Sequence, residues 1–380
     1  MNVPIYLDYN ATTPVAPEVV DAMLPFLRAH FGNPSSAHPF GRLAAQAVAE
    51  ARNQVAALIG ARAHEMVFTG CATEANNLAL LGVARALGGT KRHLVVSAIE
   101  HPAVMAPAQH LQEAGWSLTV VPVDGFGRVA PDAIAQALRP DTALVSVMHA
   151  NNEVGTIQPI REIAHITRQR GVLLHTDAAQ SAGKIAVDVD TLGVDLLTLA
   201  GHKFYAAKGV GALYIRQNTP VRNISFGADH EHGLRPGTEN VAALVGFGVA
   251  AQLARERLPQ ASSHLRELRD QLHGLLIEAI PGLILNGHTD QRLPNTLHVS
   301  FPGASGRRLL DQASPIVAAS LGSACHSEHD AVSGVLAAMG VSSVRAAGAV
   351  RLSVGSMTTP EEVSRAAKGL IEAWRKVASL

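Results

Sequence analysis

The chain has 380 residues, of which 47% are hydrophobic and 16% are charged. This composition supplies a large core and excludes a disordered chain, and the length predicts about two domains of roughly 100–200 residues each. Lys and Arg together number 31, as do Asp and Glu, so the chain lacks the basic excess that is typical of nucleic-acid binding.

The sequence begins with "MNVPIYLDYN", which does not read as a signal peptide, and no run of about 18 apolar residues predicts a membrane-spanning helix. Its two cysteines are Cys71 and Cys325. We therefore expect a cytoplasmic protein with reduced thiols, and neither a nucleic acid nor a membrane as its partner.

Up to about residue 240, short apolar runs alternate with helical patterns. A helix is predicted over 44–60, where Gly60 is a candidate C-cap. The predicted strands that follow are "MVFTG" (66–70), "HLVVSA" (93–98), "LTVVPVD" (118–124), "DTALVSVMHA" (141–150), "GVLLHTDAA" (171–179), "VDLLTLA" (194–200) and "GALYIR" (211–216). Strands that alternate with helices indicate a mostly parallel sheet with both faces covered.

The pattern changes after about residue 240. Two long helices are predicted there, over 240–258 and 261–280. The strands "GLILN", "NTLHVSF" and "AVRLSV" and a C-terminal helix then indicate a smaller α+β unit. We expect a large α/β domain over 14–254 and a small α+β domain formed by 1–13 and 255–380.

Polar or reactive residues follow five of the predicted strands. In open parallel sheets, ligands bind beyond the carboxyl ends of the strands, so we expect these residues to converge on one crevice. They are Cys71, Ala72, Thr73 and Glu74; Glu100 and His101; Asn151, Asn152 and Glu153; Asp177 and Gln180; and His202 and Lys203.

Three of these residues suit a phosphorylated pyridine aldehyde. A lysine at a desolvated strand end, such as Lys203, has a lowered pKa and can form a Schiff base, although a lysine after a strand is more often a solvated loop residue. A carboxylate such as Asp177 can keep a pyridine nitrogen protonated. The helix that opens at Thr73 offers free backbone N–H groups to a phosphate. Simple helix capping is the alternative for the last two residues.

Three more residues suit the same ligand. An imidazole such as His101 can lie against the ring and move protons, although a residue before proline can also be a plain turn residue. Asn152 and Gln180 can donate hydrogen bonds to a phenolate oxygen of the ring. Each interpretation is weak alone, but their order and spacing along the chain favour the functional one.

These residues and the segments around them resemble the cysteine desulfurase and selenocysteine lyase family of the class V aminotransferase group. The similarity spans nearly the whole chain. It is carried by "YLDYNATTPVAPEV", "FGNPSSAHPFGR", "ATEANN", "EHPAV", "ANNEVGTIQPI", "HTDAAQSAGK", "GHKFYAAKGVGALYIR", "RPGTEN", "GSACHSE" and "VRLSVGSMTT". The resemblance implies fold type I of the pyridoxal 5'-phosphate enzymes, with a large mostly parallel-sheet α/β domain and a smaller α+β domain.

The resemblance also assigns roles to residues of this chain. It implies that Lys203 carries the cofactor, Asp177 pairs with the pyridine nitrogen, His101 stacks on the ring, Ala72, Thr73 and His202 hold the phosphate, and Asn152 and Gln180 contact the ring oxygen. Thr238 would reach the phosphate of a neighbouring subunit, which implies a homodimer with shared sites. Arg351 would clamp the substrate carboxylate, for which a surface ion pair is the alternative, and Asn10 would lie near the substrate.

Cys325 falls on the nucleophilic cysteine of that family. The resemblance implies that its thiolate takes sulfur from L-cysteine, or selenium from L-selenocysteine, to leave a persulfide and L-alanine, with an acceptor protein for the sulfur or selenium. Cys71 is expected to be a buried, inert cysteine. Ala200 replaces a serine that desulfurases use to hold the phosphate, as in selenocysteine lyases, whereas Pro102 replaces an aspartate of the animal selenocysteine lyases.

Two other functions stay open from the sequence. A pyridoxal-phosphate aminotransferase or a β-eliminating C–S lyase would use the same scaffold with Cys325 incidental. The 18 histidines and the clusters "GADHEHG" and "CHSEHD" also fit a metal-binding protein, although we assign no metal ligand.

Overall fold

A seven-stranded sheet forms the centre of the computed structural model, which describes residues 3–322 and 333–378. Its strands, in sheet order, are β2 (Met66–Thr69), β8 (Gly211–Ile215), β7 (Leu196–Ala200), β6 (Leu173–Asp177), β5 (Thr142–Ser146), β3 (His93–Ser97) and β4 (Ser117–Val121). Only β8 runs antiparallel to its neighbours, so the predicted mostly parallel sheet is confirmed.

Helices cover both faces of this sheet. They are α1 (Pro17–Arg28), α2 (Pro39–Leu58), α3 (Ala72–Leu87), α4 (Pro102–Glu113), α5 (Pro131–Ala137), α6 (Ile160–Gln169) and α7 (Val189–Leu192). Successive strand residues belong to opposite cores: Leu196 packs in one cluster and Leu197 in the other. Helix α2 ends two residues before Gly60, which takes a φ of 68° as the C-cap prediction requires.

A second, smaller group of strands and helices follows. It contains the parallel pair β1 (Ile5–Tyr6) and β11 (Val317–Ala318), the antiparallel strands β9 (Ile284–Leu285), β10 (Thr296–Ser300) and β12 (Ala349–Ser353), and the helices α9 (Gly306–Ala313), α10 (Gly334–Ala338), α11 (Ser343–Ala347) and α12 (Pro360–Val377). The N-terminal residues Ile5 and Leu7 pack in the core of this group, beside Leu352 and Leu370.

Helix α8 (Val241–Ala279) joins the two groups, and it corrects the sequence analysis. The two helices predicted over 240–258 and 261–280 are one helix of 39 residues with Pro259 inside it. Pro259 is exposed, so water can satisfy the carbonyl that loses its helical partner. Phe247 packs in one core and Leu268 in the other, and this packing keeps both halves helical.

In the described part of the chain, no helix combines the length and the apolar composition that crossing a bilayer needs.

Candidate active site

A cavity of about 300 Å³ lies at the carboxyl edge of the seven-stranded sheet. The structure brings most of the predicted site residues together there: Asn10, Ala72, Thr73, His101, Asn152, Asp177, Gln180, His202, Lys203 and Arg351 all line it. Strands β2, β3, β5, β6 and β7 run in one direction, so the residues that follow them meet at one edge.

Lys203 stands at the end of a short turn, Gly201–Lys203, directly after β7. Its Nζ donates hydrogen bonds to the backbone carbonyls of Asn10 and Ala11, at 2.7 Å each. Burial lowers the pKa of Lys203 to about 8, with a smaller contribution from Arg351. The solvated loop residue considered above is therefore wrong for this lysine, and its neutral amine is accessible near neutral pH.

Asp177 is the last residue of β6 and is 6% exposed. Its Oδ2 accepts a hydrogen bond from Asn76 Nδ2 at 2.7 Å, and its Oδ1 accepts one from the backbone N–H of Ala179 at 2.9 Å. Among the residues that the structure describes, no Lys, Arg or His forms an ion pair with this carboxylate. It caps the following turn, and its remaining lone pairs are free for a cationic ring nitrogen.

The N-terminus of α3 forms another wall of the cavity. Within the described ranges, the backbone N–H groups of Ala72 and Thr73 have no acceptor, and α3 is 16 residues long, so its dipole favours an anion at this point. Cys71 is the N-cap, and its Sγ accepts from the backbone N–H of Glu74 at 3.4 Å. The expectation that Cys71 is buried is wrong: it is exposed, because the N-cap lies in the cavity wall.

Glycine at position 211 permits this wall. A Cβ atom at Gly211, the first residue of β8, would lie 2.7 Å from the carbonyl carbon of Cys71 and 2.9 Å from the backbone nitrogen of Ala72. Both atoms are backbone, so neither can move aside. The strand can approach the helix N-terminus only because residue 211 has no side chain.

Two histidines face the cavity as neutral rings. Burial lowers the pKa of His202 to about 4, reinforced by the charge of Lys203, and its Nδ1 lies 3.1 Å from Thr12 Oγ1. His101 is the N-cap of α4, and its Nδ1 accepts from the backbone N–H of Ala103 at 3.0 Å. Burial also lowers the pKa of His101, while Asp177 opposes this shift. The neutral His101 ring therefore carries its proton on Nε2.

Arg351, on β12, is buried, so the surface ion pair considered above is wrong. Its Nη1 donates to the carbonyls of Asn152, at 3.0 Å, and Gly322, at 2.6 Å, and its Nη2 donates to Asp8 Oδ1 at 2.8 Å. Its Nε has no partner among the described residues. The guanidinium lines the cavity and can donate to a carboxylate there, although Asp8 already holds its Nη2, so such a ligand would share or replace the Asp8 contact.

Asn10 connects several parts of the site, and the sequence analysis missed most of these contacts. Its carbonyl accepts from Gln180 Nε2 as well as from Lys203, and its Oδ1 accepts from Lys184 and Asn295. Asp8 and Lys184 were likewise not predicted as site residues. Both stand in segments that the sequence analysis quoted, "YLDYNATTPV" and "HTDAAQSAGK", and an apolar turn around a lysine was the available signal.

Three other predictions are not supported by the described residues that line this cavity. Thr238 is exposed and does not line the cavity of its own chain. Cys325 lies outside the described residues. Across 3–322 and 333–378, no three His, Cys, Asp or Glu side chains come together as a metal-binding group.

Comparisons with known proteins agree with this geometry. The family model described as Aminotransferase class-V matches residues 5–366. Cysteine desulfurase IscS of Dictyoglomus turgidum is 45% identical over 361 residues, covering 95% of this chain and 92% of that protein. Cysteine desulfurase IscS 1 of Archaeoglobus fulgidus is 43% identical over 381 residues, which cover 99% of each.

Solved structures are also similar to this chain over nearly its whole length. A protein titled NifS-like protein superimposes with a TM-score of 0.93 at 38% identity, covering 99% of this chain and 100% of that one. A structure titled SspA in complex with cysteine gives a TM-score of 0.83 at 35% identity, covering 93% of this chain and 99% of that one.

Proposed function

Since this chain belongs to the class-V aminotransferase family, among the cysteine desulfurases, we propose that it removes sulfur from L-cysteine and releases L-alanine with pyridoxal 5'-phosphate as its cofactor. One observation carries the proposal. The desolvated amine of Lys203, the Asp177 carboxylate and the unpaired N–H groups of α3 line one cavity.

The described residues fit this cofactor. Ala72 and Thr73 offer the donors that a phosphate needs, Asp177 offers an anion to a pyridinium nitrogen, and Lys203 offers an amine to an aldehyde. The cavity volume of about 300 Å³ is at the lower end of the range for small-molecule sites, roughly 300–1,000 Å³. When bound, pyridoxal phosphate supplies an aldehyde that joins an amine and a ring that withdraws electrons from the adjacent carbon.

The protein's own groups then bind the substrate and move its protons. Arg351, which lines the cavity, binds the substrate carboxylate in place of part of its present contacts, and this fixes the amino acid relative to Lys203. Lys203, with a pKa of about 8, can accept and return a proton near neutral pH. His101 Nδ1 accepts from the backbone of Ala103, so its Nε2 proton would be the one available to the bound cofactor or substrate.

We assign the sulfur acceptor to Cys325, which lies outside the described residues. Its thiol takes the sulfur atom of cysteine, so that cysteine and one thiol become alanine and one persulfide. Atoms and electrons balance without an external oxidant. A second thiol, on an acceptor protein or a small reductant, then removes the persulfide sulfur.

We also propose a homodimer in which Thr238 completes the partner's phosphate site. Two features support it. Thr238 is exposed on its own chain, and Leu27, Phe31 and Phe40 are 64%, 77% and 56% exposed on the α1–α2 side. The rings of Phe31 and Phe40 stack at 5.6 Å, which forms an exposed apolar patch of the kind that interfaces cover. The molecular mass of the protein in solution distinguishes a dimer from a monomer and so tests this proposal.

Product analysis tests the proposed reaction. Incubation with L-cysteine should give alanine, and borohydride treatment of the loaded protein should attach the cofactor to Lys203. Cys325→Ala should stop alanine formation and leave the cofactor attached. Cys71→Ser, which keeps a hydrogen-bond acceptor at the N-cap, is the matched cysteine variant and should still form alanine.

Other products would assign another reaction. Pyruvate and ammonia would identify a β-eliminating lyase, and amino transfer to a keto acid would identify an aminotransferase. Alanine formation by Cys325→Ala would remove that cysteine from the mechanism. A kcat/KM for L-selenocysteine far above that for L-cysteine would make selenium the preferred element.

A further inference from the structure

Lys184 lies behind the cavity, in the turn that follows β6, and is 5% exposed. Its Nζ donates to Gln180 Oε1 at 2.9 Å and to Asn10 Oδ1 at 3.2 Å. The described residues offer it no carboxylate partner. A buried lysine without a counter-ion requires an explanation, because lysine is almost never fully buried unless it is paired.

The surroundings of Lys184 favour its uncharged form. The charged side chains that bear on it are Lys203, on the turn after β7, and Arg351, on β12, and both are cationic. Burial, followed by these two charges, holds the pKa of Lys184 well below its usual range. A neutral amine has two N–H groups, and the structure provides two acceptors for them.

The contacts of Lys184 continue to the reacting amine. Because Lys184 occupies Gln180 Oε1, the amide of Gln180 directs its Nε2 to the carbonyl of Asn10, at 3.0 Å. The same carbonyl accepts from Lys203 Nζ at 2.7 Å. If Lys184 donated nothing, the amide of Gln180 could turn over and the side chain of Asn10 would lose one of its partners.

We propose that Lys184 is a positioning residue that acts as an uncharged hydrogen-bond donor and fixes Gln180 and Asn10, and through them the amine of Lys203. This inference rests on the proposed function, because it gives Lys184 a role toward the cofactor-bearing lysine. It assigns a function to the last residue of "HTDAAQSAGK", which the mechanism above does not use.

Three substitutions distinguish the effect of hydrogen-bond donation by residue 184 from the effect of its charge. Lys184→Gln keeps a neutral donor, Lys184→Met removes the donor, and Lys184→Arg imposes a permanent positive charge. The first readout is the dissociation constant of pyridoxal phosphate from the full-length chain. We expect Lys184→Gln to stay close to wild type and Lys184→Met to bind about tenfold more weakly, the effect of one or two lost hydrogen bonds. Lys184→Arg should be the weakest of the three.

The second readout is the pH midpoint for attachment of pyridoxal phosphate to the unloaded chain, which reports the protonation of Lys203. The groups that set this midpoint are Arg351, Asp177 and Asp8, besides burial. We expect the same midpoint in wild type, Lys184→Gln and Lys184→Met, because each has a neutral group at position 184. Lys184→Arg should move it to lower pH, since a new cation disfavours the ammonium form.

The opposite pattern overturns the inference. If Lys184 is charged in the wild type, Lys184→Gln and Lys184→Met raise the midpoint and Lys184→Arg leaves it unchanged. If Lys184→Met fails to fold, the Lys184→Gln and Lys184→Arg pair still decides the question. Lys368→Met, at an exposed position of α12, is the matched control and should bind the cofactor like wild type. A wild type that forms no alanine refutes the proposed function, whereas the midpoints need no turnover.

Discussion

The carboxyl edge of the large sheet and the N-terminal segment 8–13 contribute different kinds of chemical group to the same site. The sheet edge contributes side chains of recognisable chemistry, such as Asp177 and Lys203. The N-terminal segment contributes mainly the backbone carbonyls of Asn10 and Ala11, and its Asp8 carboxylate holds Arg351 from outside the cavity lining. The segment directly follows Ile5 and Leu7, which pack in the smaller core, so the site forms where the two groups of elements meet.

This difference gives the two regions separate roles, the choice of ligand and the positioning of the reacting side chains. The residues at the sheet edge determine which ligand the cavity can hold. The N-terminal segment determines where Lys203 and Arg351 stand, and Asp8 also raises the pKa of Lys203 against the effect of burial. Substitutions at the sheet edge should therefore change chemistry, and substitutions in the segment should change stability and pKa.

The largest effect is expected at the sheet edge. Asp177→Asn removes the charge that would keep the pyridine nitrogen protonated. We expect the rate of alanine formation to fall by roughly 10²–10⁴-fold, the range found for groups that control a proton in catalysis. The fold should survive. Asn76 can turn its Oδ1, which has no partner among the described residues, toward the new amide.

Rates of alanine formation and thermal unfolding of the same protein check this prediction. Asp141→Asn, at an exposed position paired with Arg139, is the matched control and should keep its activity. A folded Asp177→Asn protein with wild-type activity would show that the carboxylate only caps the turn at Ala179, as the simpler interpretation holds.

The N-terminal segment should show the next largest effect, on stability. Asp8→Asn leaves the cation of Arg351 without its counter-ion, and the Arg351 side chain is only 3% exposed. We expect the free energy of unfolding to fall by about 1.5–3 kcal/mol, the range for a hydrogen bond to a charged group. Denaturant unfolding of the cofactor-free chain measures this change.

Asp190→Asn is the matched control for Asp8→Asn. The ion pair between Asp190 and Arg216 is 2.9 Å long, but the Asp190 side chain is 77% exposed. Losing this pair should therefore lower the free energy of unfolding by at most about 1 kcal/mol. Asp8→Asn should also move the pKa of Lys203 below about 8, because Asp8 favours the ammonium form. Equal stability losses in the two variants would contradict the division between the regions.

This division also explains what the sequence could predict. Strand ends of a parallel sheet meet at one edge, so the order of Asp177, His202 and Lys203 along the chain was enough to place them together. The role of the N-terminal segment could not be predicted in this way, because backbone carbonyls carry no residue-type signal. The two-residue strand β1 (Ile5–Tyr6), which precedes the segment, also pairs with β11, which lies far along the chain at Val317–Ala318.

The errors have local physical causes. Proline is a helix boundary in most sequences, but exposed Pro259 lies inside α8 because both halves of the helix pack in cores. Cys71 was expected to be buried, yet its position as N-cap exposes it to the cavity. The lowered pKa of Lys184 depends on its burial and on the charges of Lys203 and Arg351, which come from other elements.

The smallest effect is expected at Ala200, the last residue of β7, which is 1% exposed and lines the cavity. Ala200→Ser would add a hydroxyl that can donate to a phosphate, so we expect pyridoxal phosphate to bind about 3–10-fold more tightly, the effect of one hydrogen bond. In the unloaded chain the buried hydroxyl lacks that partner, so the thermal midpoint should fall or stay level. A rise in cofactor affinity without a rise in the thermal midpoint is expected only if residue 200 faces the phosphate. A rise in both quantities would mean that the hydroxyl bonds to the protein and that Ala200 does not face the phosphate.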